Sequence, residues 1–166
     1  MDDLCAVVAP YVDAVVDTAV HNAATDGGPF AAAVIEVGTG RLVALATNRV
    51  TATPDPTAHA EIGALRAAAA ALGRAALDGT VLIASCEPCP MCLAACLWAR
   101  VEAVVFLASR RDAAAVGFDD EVFHAALGSP SVLPPTIAGM RVLRLDHPRV
   151  REPFGAWSAN ADRIPY

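Results

Sequence analysis

The sequence has 166 residues, enough for one domain with a substantial hydrophobic core. Hydrophobic residues make up 55% of the chain, a fraction that excludes long disordered stretches. The formal net charge of −6 argues against non-specific nucleic-acid binding, because such binding needs a basic surface that displaces phosphate counterions.

The first segment, MDDLCAVVAPYVDAVV, carries acidic residues where an export signal would carry basic ones, and Asp13 interrupts its apolar run. No window offers about 18 uncharged apolar residues, so we expect no membrane-spanning segment. The five cysteines are therefore expected in the reducing cytoplasm. Closely spaced cysteines there bind metals or catalyse reactions more often than they form disulfides.

The first half of the chain predicts a helix, a hairpin and a second helix. Residues 10–25 favour a helix that ends at Gly27 and Gly28. Two apolar runs around Gly38-Thr39-Gly40 then predict a β-hairpin. The stretch TATPDPTA predicts a loop, since each proline disfavours helix in the residue before it. From His59 to about Gly73 the residues have high helix propensity and end on a glycine.

The second half alternates between strands and helices. The patterns predict strands over 80–85, 103–109 and 140–145, helices over 89–99 and about 119–127, and a closing helix or extended tail over 148–161. The rest of 110–139 reads as irregular. Strand–helix–strand alternation predicts a layered α/β fold with helices covering the sheet. We expect a single domain over 1–166, with a C-terminal tail over about 148–166.

Two short motifs stand at the starts of consecutive predicted helices. One is His59-Ala60-Glu61, and the other is Pro88-Cys89-Pro90-Met91-Cys92. Cysteines three residues apart at a helix start can point the same way, and the unpaired N–H groups there stabilise thiolates. A histidine from the neighbouring helix would complete three protein ligands and leave a fourth tetrahedral position open. Such an open position is typical of catalytic zinc sites.

Together these motifs form the H-x-E…P-C-x-x-C signature of zinc deaminases. Zinc lowers the pKa of a bound water to roughly 7, and a neighbouring carboxylate such as Glu61 can carry its proton. Taken alone, the cysteines would also suit a redox pair, half of a structural zinc site, or buried small hydrophobic residues. Of the others, Cys86 is predicted to be a packed thiol next to the ligands, and Cys5 and Cys96 to be structural.

The chain resembles the bacterial guanine deaminases of the cytidine-deaminase-like fold. The resemblance runs in order from about Gly27 to Tyr166 through GGPFAAAVI, TNRVTATPDPTAHAEI, SCEPCPMCLAACLWAR, DAAAVGFDDEVF and PFGAWSANADRIPY. The stretch DPTAHAEI and the zinc motif are shared with tRNA adenosine deaminases, whereas GFDD and the aromatic-ended tail are more specific. The resemblance implies a three-layer α/β/α fold with a central mixed sheet of about five strands. It also implies a homodimer that exchanges C-terminal tails.

The resemblance assigns catalytic and metal-binding roles to individual residues. His59, Cys89 and Cys92 would bind Zn²⁺, and Glu61 would be the principal proton carrier. Asp120, the second acid of GFDD, would be an extra proton shuttle at the leaving amino group. From its position alone, Asp120 could equally cap the helix that starts near residue 121.

The resemblance also implies five substrate-binding residues: Phe30, Asn48, Ala60, Trp98 and Tyr166. Asn48 would hydrogen-bond the base, two aromatic residues would wall the pocket, and the terminal tyrosine would reach the partner subunit's site. By default an asparagine at a strand end is a turn residue, buried aromatic residues are core, and a terminal residue is frayed. Ala31 stands where these enzymes usually have glycine, and Arg110 would by default be a solvated charge.

The implied reaction is zinc-dependent hydrolysis of a free nucleobase, guanine to xanthine and ammonia. Deamination of cytosine, cytidine or an aminotriazine is the nearest alternative, because one sequence does not display the shape of the pocket. tRNA adenosine deamination would need a basic surface and base flipping. A non-enzymatic zinc module is the remaining alternative, although structural zinc sites usually have four protein ligands.

Overall fold

The protein, seen here in a computed structural model, is described over residues 3–25, 27–128 and 132–166. Its centre is a sheet of six strands in the order β2-β1-β3-β4-β6-β5. The strands are β1 (Ala31–Glu36), β2 (Leu42–Thr47), β3 (Thr80–Cys86), β4 (Ala103–Ala108), β5 (Thr136–Ile137) and β6 (Met140–Arg144). The pairs β3–β4 and β4–β6 are parallel, and the other pairs are antiparallel. The predicted mixed sheet is confirmed, with one strand more than expected, because the two-residue β5 is too short to leave a periodic signal.

The helices lie in two layers around this sheet. They are α1 (Asp3–Val8), α2 (Val12–Ala24), α3 (Ala60–Leu72), α4 (Pro90–Ala99), α5 (Arg110–Ala114), α6 (Glu121–Ala126) and α7 (Glu152–Ala159). Alternate residues of a strand point to opposite faces of a sheet, so each face has its own core. Ala33, Ile35 and Ile83 pack with α1 and α2. Val34 and Leu82 pack with α3 and α4. The three-layer α/β/α arrangement is confirmed.

The N-terminal helical stretch begins earlier than predicted. Helix α1 starts at Asp3, and a 3₁₀ turn at Ala9–Tyr11 joins it to α2. The turn accommodates Pro10, which has no N–H to donate and does not need one there. By length and composition the stretch Asp3–Ala24 could cross a membrane. Buried core helices can have the same length and composition, and the apolar face of this stretch packs against the sheet.

Two parallel strands deliver the chain to one edge of the sheet, where the candidate site lies. Cys86 at the end of β3 pairs with Ala108 at the end of β4. Helix α4 begins four residues after Cys86, and α5 begins two residues after Ala108. Loops after parallel strands meet at the carboxyl edge of such sheets, which is where α/β folds bind ligands. Helix α5 lies in a region predicted to be irregular, and a capping box between Ser109 and Asp112 starts it.

Candidate active site

His59, Cys89 and Cys92 lie together at the starts of two helices. His59 and Cys89 are the N-cap residues of α3 and α4, and both have extended backbones that turn their side chains back over the helix ends. The Nδ1 atom of His59 is 3.6 Å from Sγ of Cys89 and 3.5 Å from Sγ of Cys92. All three ligand atoms lie within 4.8 Å of one another. The predicted metal cluster is confirmed as a close group of three donors.

The spacing of these donors fits zinc. In a tetrahedral site with Zn–S and Zn–N bonds of about 2.3 and 2.1 Å, neighbouring ligand atoms are separated by about 3.6 Å. The measured Nδ1–Sγ distances of 3.6 and 3.5 Å therefore match two edges of such a tetrahedron. One imidazole and two sulfurs are also a ligand set that zinc prefers.

The protonation of the two thiols shows why a cation belongs between them. A hydrogen bond from Cys92 lowers the pKa of Cys89 to about 4, while the same contact and burial raise the pKa of Cys92. Without a cation, the pair therefore holds one negative charge and shares one proton. Burial opposes a charge on His59, but its hydrogen bond with Cys89 raises its pKa overall. A divalent ion would stabilise both sulfurs as thiolates at once.

Glu61 extends from the first turn of α3 into the same space. Glu61 is 8% exposed, and its side chain lines the cavity beside His59 and Cys89. Burial, followed by the charge of Cys89, raises the pKa of Glu61 to about 7. A carboxyl group with such a pKa can take up and release protons near neutral pH, as general acid–base catalysis requires.

A cavity of about 680 Å³ opens in front of the cluster. This volume lies within the usual range for small-molecule sites. Aromatic rings form part of its wall: Phe30 and Phe118 meet edge to face with centroids 4.9 Å apart, and Phe123 is a further lining residue. Ala31 also lines the cavity, and its backbone N–H donates to the Ser85 hydroxyl at 3.0 Å.

Asn48 lies on the cavity wall and is 2% exposed. Its Oδ1 accepts a hydrogen bond from Val50 N at 3.2 Å, so the default turn role is present as well. The buried Asn22 donates from Nδ2 to the carbonyl oxygens of Gly28, at 2.7 Å, and Asn48, at 2.9 Å. Asn22 therefore fixes the backbone that carries Asn48, and the α2 sequence gave no signal of this because its asparagine lies within an ordinary helix.

Asp120 faces the cavity from the start of α6. It occupies the N-cap position, but its carboxylate makes no capping bond to any described residue. Its Oδ2 atom instead lies 3.2 Å from Nε2 of His124. Burial raises the pKa of Asp120, while the neighbouring His124 opposes that shift. The structure therefore does not support the alternative in which Asp120 only caps the helix.

The remaining predicted substrate-binding residues separate into two groups. Tyr166 reaches the cavity of its own chain, where its ring centroid lies 5.3 Å from that of Phe118 and its hydroxyl stands beside Asn48. Ala60 is buried but is not among the described residues that line the cavity. Trp98 is 88% exposed and also lies outside that lining. Cys92 and Cys96 face inward from α4, and Trp98 lies on the opposite face of the same helix.

Several residues of the site were missed by the sequence analysis. Phe118 comes from the region predicted to be irregular, and Phe123 from the short helix predicted over about 119–127, which has too few turns to mark a buried face. Arg110 is not solvated: its Nε lies 3.6 Å from a carboxylate oxygen of Glu87 and 3.6 Å from one of Glu121. The stretch CEPC already contained Glu87, but only the fold brings β4 beside β3 and so pairs it with Arg110.

A comparison with protein families identifies the fold and its metal site together. Residues 9–108 match the model of the cytidine and deoxycytidylate deaminase zinc-binding region. The chain belongs to this deaminase family. Zinc is therefore its cofactor, and His59, Cys89 and Cys92 are close enough to hold the ion.

One relative, a guanine deaminase, is similar to this chain over most of its length. The guanine deaminase of Bacillus subtilis is 42% identical over 140 residues, which cover 84% of this chain and 86% of the relative. A solved structure of guanine deaminase from Bacillus subtilis has a TM-score of 0.69 at 36% identity and covers 95% of this chain and 97% of its own. The tRNA-specific adenosine deaminase of Agrobacterium fabrum is 43% identical over 67 residues, only 40% of this chain and 44% of that protein. The predicted resemblance to bacterial guanine deaminases is confirmed.

Proposed function

We propose that this protein hydrolyses guanine to xanthine and ammonia. The observation that carries the proposal is the buried carboxyl of Glu61 beside three zinc ligands on the wall of an aromatic-lined cavity. The reaction adds one water at C2 and releases the 2-amino group as ammonia. The identity of the substrate rests on the Bacillus subtilis relative, which is a guanine deaminase and is similar over most of both chains.

Zinc, held by His59, Cys89 and Cys92, would supply a water that is acidic enough to be activated at neutral pH. Glu61 takes a proton from that water and delivers it to a ring nitrogen of the base. Its raised pKa of about 7 suits both uptake and release of this proton. Asp120, across the cavity, carries a proton for the departing amino group.

The walls of the cavity orient the base. Phe30 and Phe118 provide aromatic surfaces for a planar ring, and Asn48 offers an amide that can pair with its edge. Tyr166, which also lines the cavity, would limit the entry of water. Ala60, at the first position of α3, is proposed to contribute to substrate binding through its place between the metal ligand His59 and the proton carrier Glu61.

The test is ammonia release from a panel of substrates: guanine, adenine, cytosine, cytidine and an aminotriazine. We expect rapid release from guanine, with xanthine detected by its absorbance. A Glu61→Gln protein, purified in the same way, controls for contaminating host deaminases. Turnover of another member of the panel with guanine inert would reject guanine and keep the chemistry. A gel shift with tRNA tests the alternative of tRNA adenosine deamination, because that reaction needs tRNA binding, which the net charge of −6 disfavours.

We also propose that the functional unit is a homodimer with exchanged C-terminal tails. Trp98 is a large exposed aromatic residue on α4, as is typical of residues buried at interfaces. Residues 161–166 lie in no helix or strand, so the tail could deliver Tyr166 to either of two identical cavities. We further propose that residues 1–166 act as one deaminase domain in the cytoplasm.

Complementation tests the exchange. A subunit with Glu61→Gln is co-expressed with a subunit with Tyr166→Ala, and mixed dimers are purified through two different tags. If tails are exchanged, the Tyr166→Ala subunit keeps Glu61 and receives a normal tyrosine from its partner, so one active site is restored. If each tail stays with its own chain, the mixed dimers have no more activity than the better of the two single variants.

A further inference from the structure

Helix α6 buries a histidine where an apolar side chain would be expected. Among the six described residues of α6, His124 alone is buried, at 1% exposure, while Val122 and Phe123 are 68% and 60% exposed. A helix with a single buried position normally places an apolar side chain there. The burial of this polar imidazole therefore requires a specific explanation.

The ring has one partner, and that partner faces the cavity. Nε2 of His124 lies 3.2 Å from Oδ2 of Asp120, and Nδ1 is buried with no hydrogen-bond partner among the described residues. A neutral imidazole carries one N–H, which belongs on the nitrogen that faces the carboxylate. Nδ1 is then a bare lone pair. A second hydrogen on Nδ1 would be a buried donor with nothing to accept it, which is unfavourable.

We propose that His124 is a positioning residue for Asp120, held as the neutral Nε2–H tautomer, a role that rests on the proton-shuttle function proposed for Asp120. The hydrogen bond occupies Oδ2, and Oδ1 is left with no partner among the described residues. Asp120 therefore presents one defined oxygen to the leaving amino group instead of rotating between two. The contact spans one turn of a helix that is otherwise exposed, so it also fixes where the carboxylate stands relative to the cavity.

Two variants of His124 separate positioning from packing. Leucine fills a similar buried space without a donor, whereas glutamine places an amide N–H near the position of Nε2. We expect His124→Leu to lower kcat about tenfold, the loss of one hydrogen bond to a charged group, with KM and zinc content unchanged. His124→Gln should stay within about threefold of the unmodified enzyme. A glutamine variant as impaired as the leucine variant, or a change in KM alone, would overturn the proposal.

A double-mutant cycle with Asp120→Asn gives the decisive comparison. If His124 acts through Asp120, His124→Leu causes no further loss of kcat once Asp120 has been changed. An equal loss in both backgrounds would mean that His124 only anchors α6, and the proposal would fail. If Asp120→Asn has nearly normal activity, the shuttle role fails and the positioning role fails with it. If guanine is inert but another base of the panel reacts, the cycle is measured on that base.

Histidine-labelled protein gives a readout that needs no turnover. The chain has four histidines, and the ¹⁵N signals of His124 are those absent from the His124→Gln spectrum. We expect Nε2 to carry the hydrogen and Nδ1 to have the shift of an unprotonated ring nitrogen. A signal from the Nδ1–H tautomer would contradict the proposal, whichever base the enzyme deaminates.

Discussion

Two parts of the cavity lining are built from different kinds of structure: the metal wall, which carries the metal ligands, and the part formed by α6 and the C-terminal tail, here called the facing wall. On the metal wall, His59 and Cys89 stand at the starts of α3 and α4, two helices packed on a buried sheet. On the facing wall, Asp120 belongs to the short helix α6, which is mostly exposed, and Tyr166 ends an extended tail.

The comparison shows how one fold can keep a reaction while changing its substrate. A metal site needs donors fixed to within tenths of an ångström, and buried helix starts provide that rigidity. Segments such as α6 and the tail make fewer buried contacts, so their sequences can vary without loss of the core. We therefore expect changes on the metal wall to abolish the chemistry. Changes on the facing wall should alter substrate binding or, at Asp120 and His124, slow turnover.

Removal of the metal should have the largest effect. Dialysis against a strong chelator should abolish ammonia release, because the reaction needs an activated water, and stoichiometric zinc should restore it. Zinc content by elemental analysis and activity should rise together to one ion per chain. Full activity in protein that contains no metal would contradict the assignment of the cluster.

Glu61→Gln should come next. The amide cannot carry a proton, so kcat should fall about 10²–10⁴-fold while zinc remains bound. Zinc analysis accompanies the kinetics, because a loss of metal would explain the result without any role for Glu61. The exposed Glu102, immediately before β4, provides the matched control Glu102→Gln, which should leave kcat unchanged.

The stability of metal-free protein should depend on pH through the same carboxyl. In the folded chain the pKa of Glu61 is raised from 4.5 to about 7 by burial and by the charge of Cys89. Between these two values the folded state holds a proton that the unfolded state has lost. The free energy of unfolding should therefore fall as pH rises through this range, by up to about 3 kcal/mol.

Denaturant unfolding of chelated protein at several pH values measures this slope. Glu61→Gln cannot lose a proton, so subtracting its curve from that of the unmodified protein isolates the contribution of Glu61. Parallel curves for the two proteins would show that the pKa of Glu61 is not raised in the folded chain.

On the facing wall, Gly28→Ala should act through Tyr166. A Cβ at Gly28 would lie 2.5 Å from the tyrosine hydroxyl, which can be displaced because it ends a flexible side chain. Its other neighbours, Asn48 Oδ1 and a ring carbon of Phe30, are each 3.3 Å away and need to shift only by tenths of an ångström. We expect KM for guanine to rise about tenfold with kcat and zinc retained. Gly38→Ala, where the added Cβ meets nothing within 4 Å, is the matched control.

The double variant Gly28→Ala, Tyr166→Ala should behave like either single variant, since both remove the same contact. A fall in KM, instead of a rise, would mean that Tyr166 competes with the base for Asn48. In that case the C-terminal tail on the facing wall would hinder binding of the base instead of forming part of the binding surface.

Trp98→Glu should have the smallest effect on the chemistry. The side chain lies outside the lining of its own cavity, so zinc content should not change. If Trp98 is buried between subunits, a charge there should convert the dimer to single chains in sedimentation equilibrium. An unmodified protein that already sediments as one chain would contradict the proposed homodimer.

The sequence by itself determined the metal wall. Cysteines three residues apart and a histidine two residues before a glutamate, each at a helix start, have a fixed local geometry. The H-x-E…P-C-x-x-C signature therefore identified the three ligands and predicted a proton-carrying role for Glu61. The layered α/β order could be read as well, because strands and helices leave hydrophobic periods of different length.

Only the tertiary structure decided the facing wall. His124 beside Asp120 and Arg110 between Glu87 and Glu121 depend on how short segments dock, and six-residue helices carry too few periods to show a buried face. Trp98, which the family resemblance places at the pocket wall, is exposed and outside the lining of its own chain's cavity, so its contact with the substrate stays a prediction. Local spacing is set by bonds along the chain, whereas contacts between distant segments are set by the free energy of the whole fold.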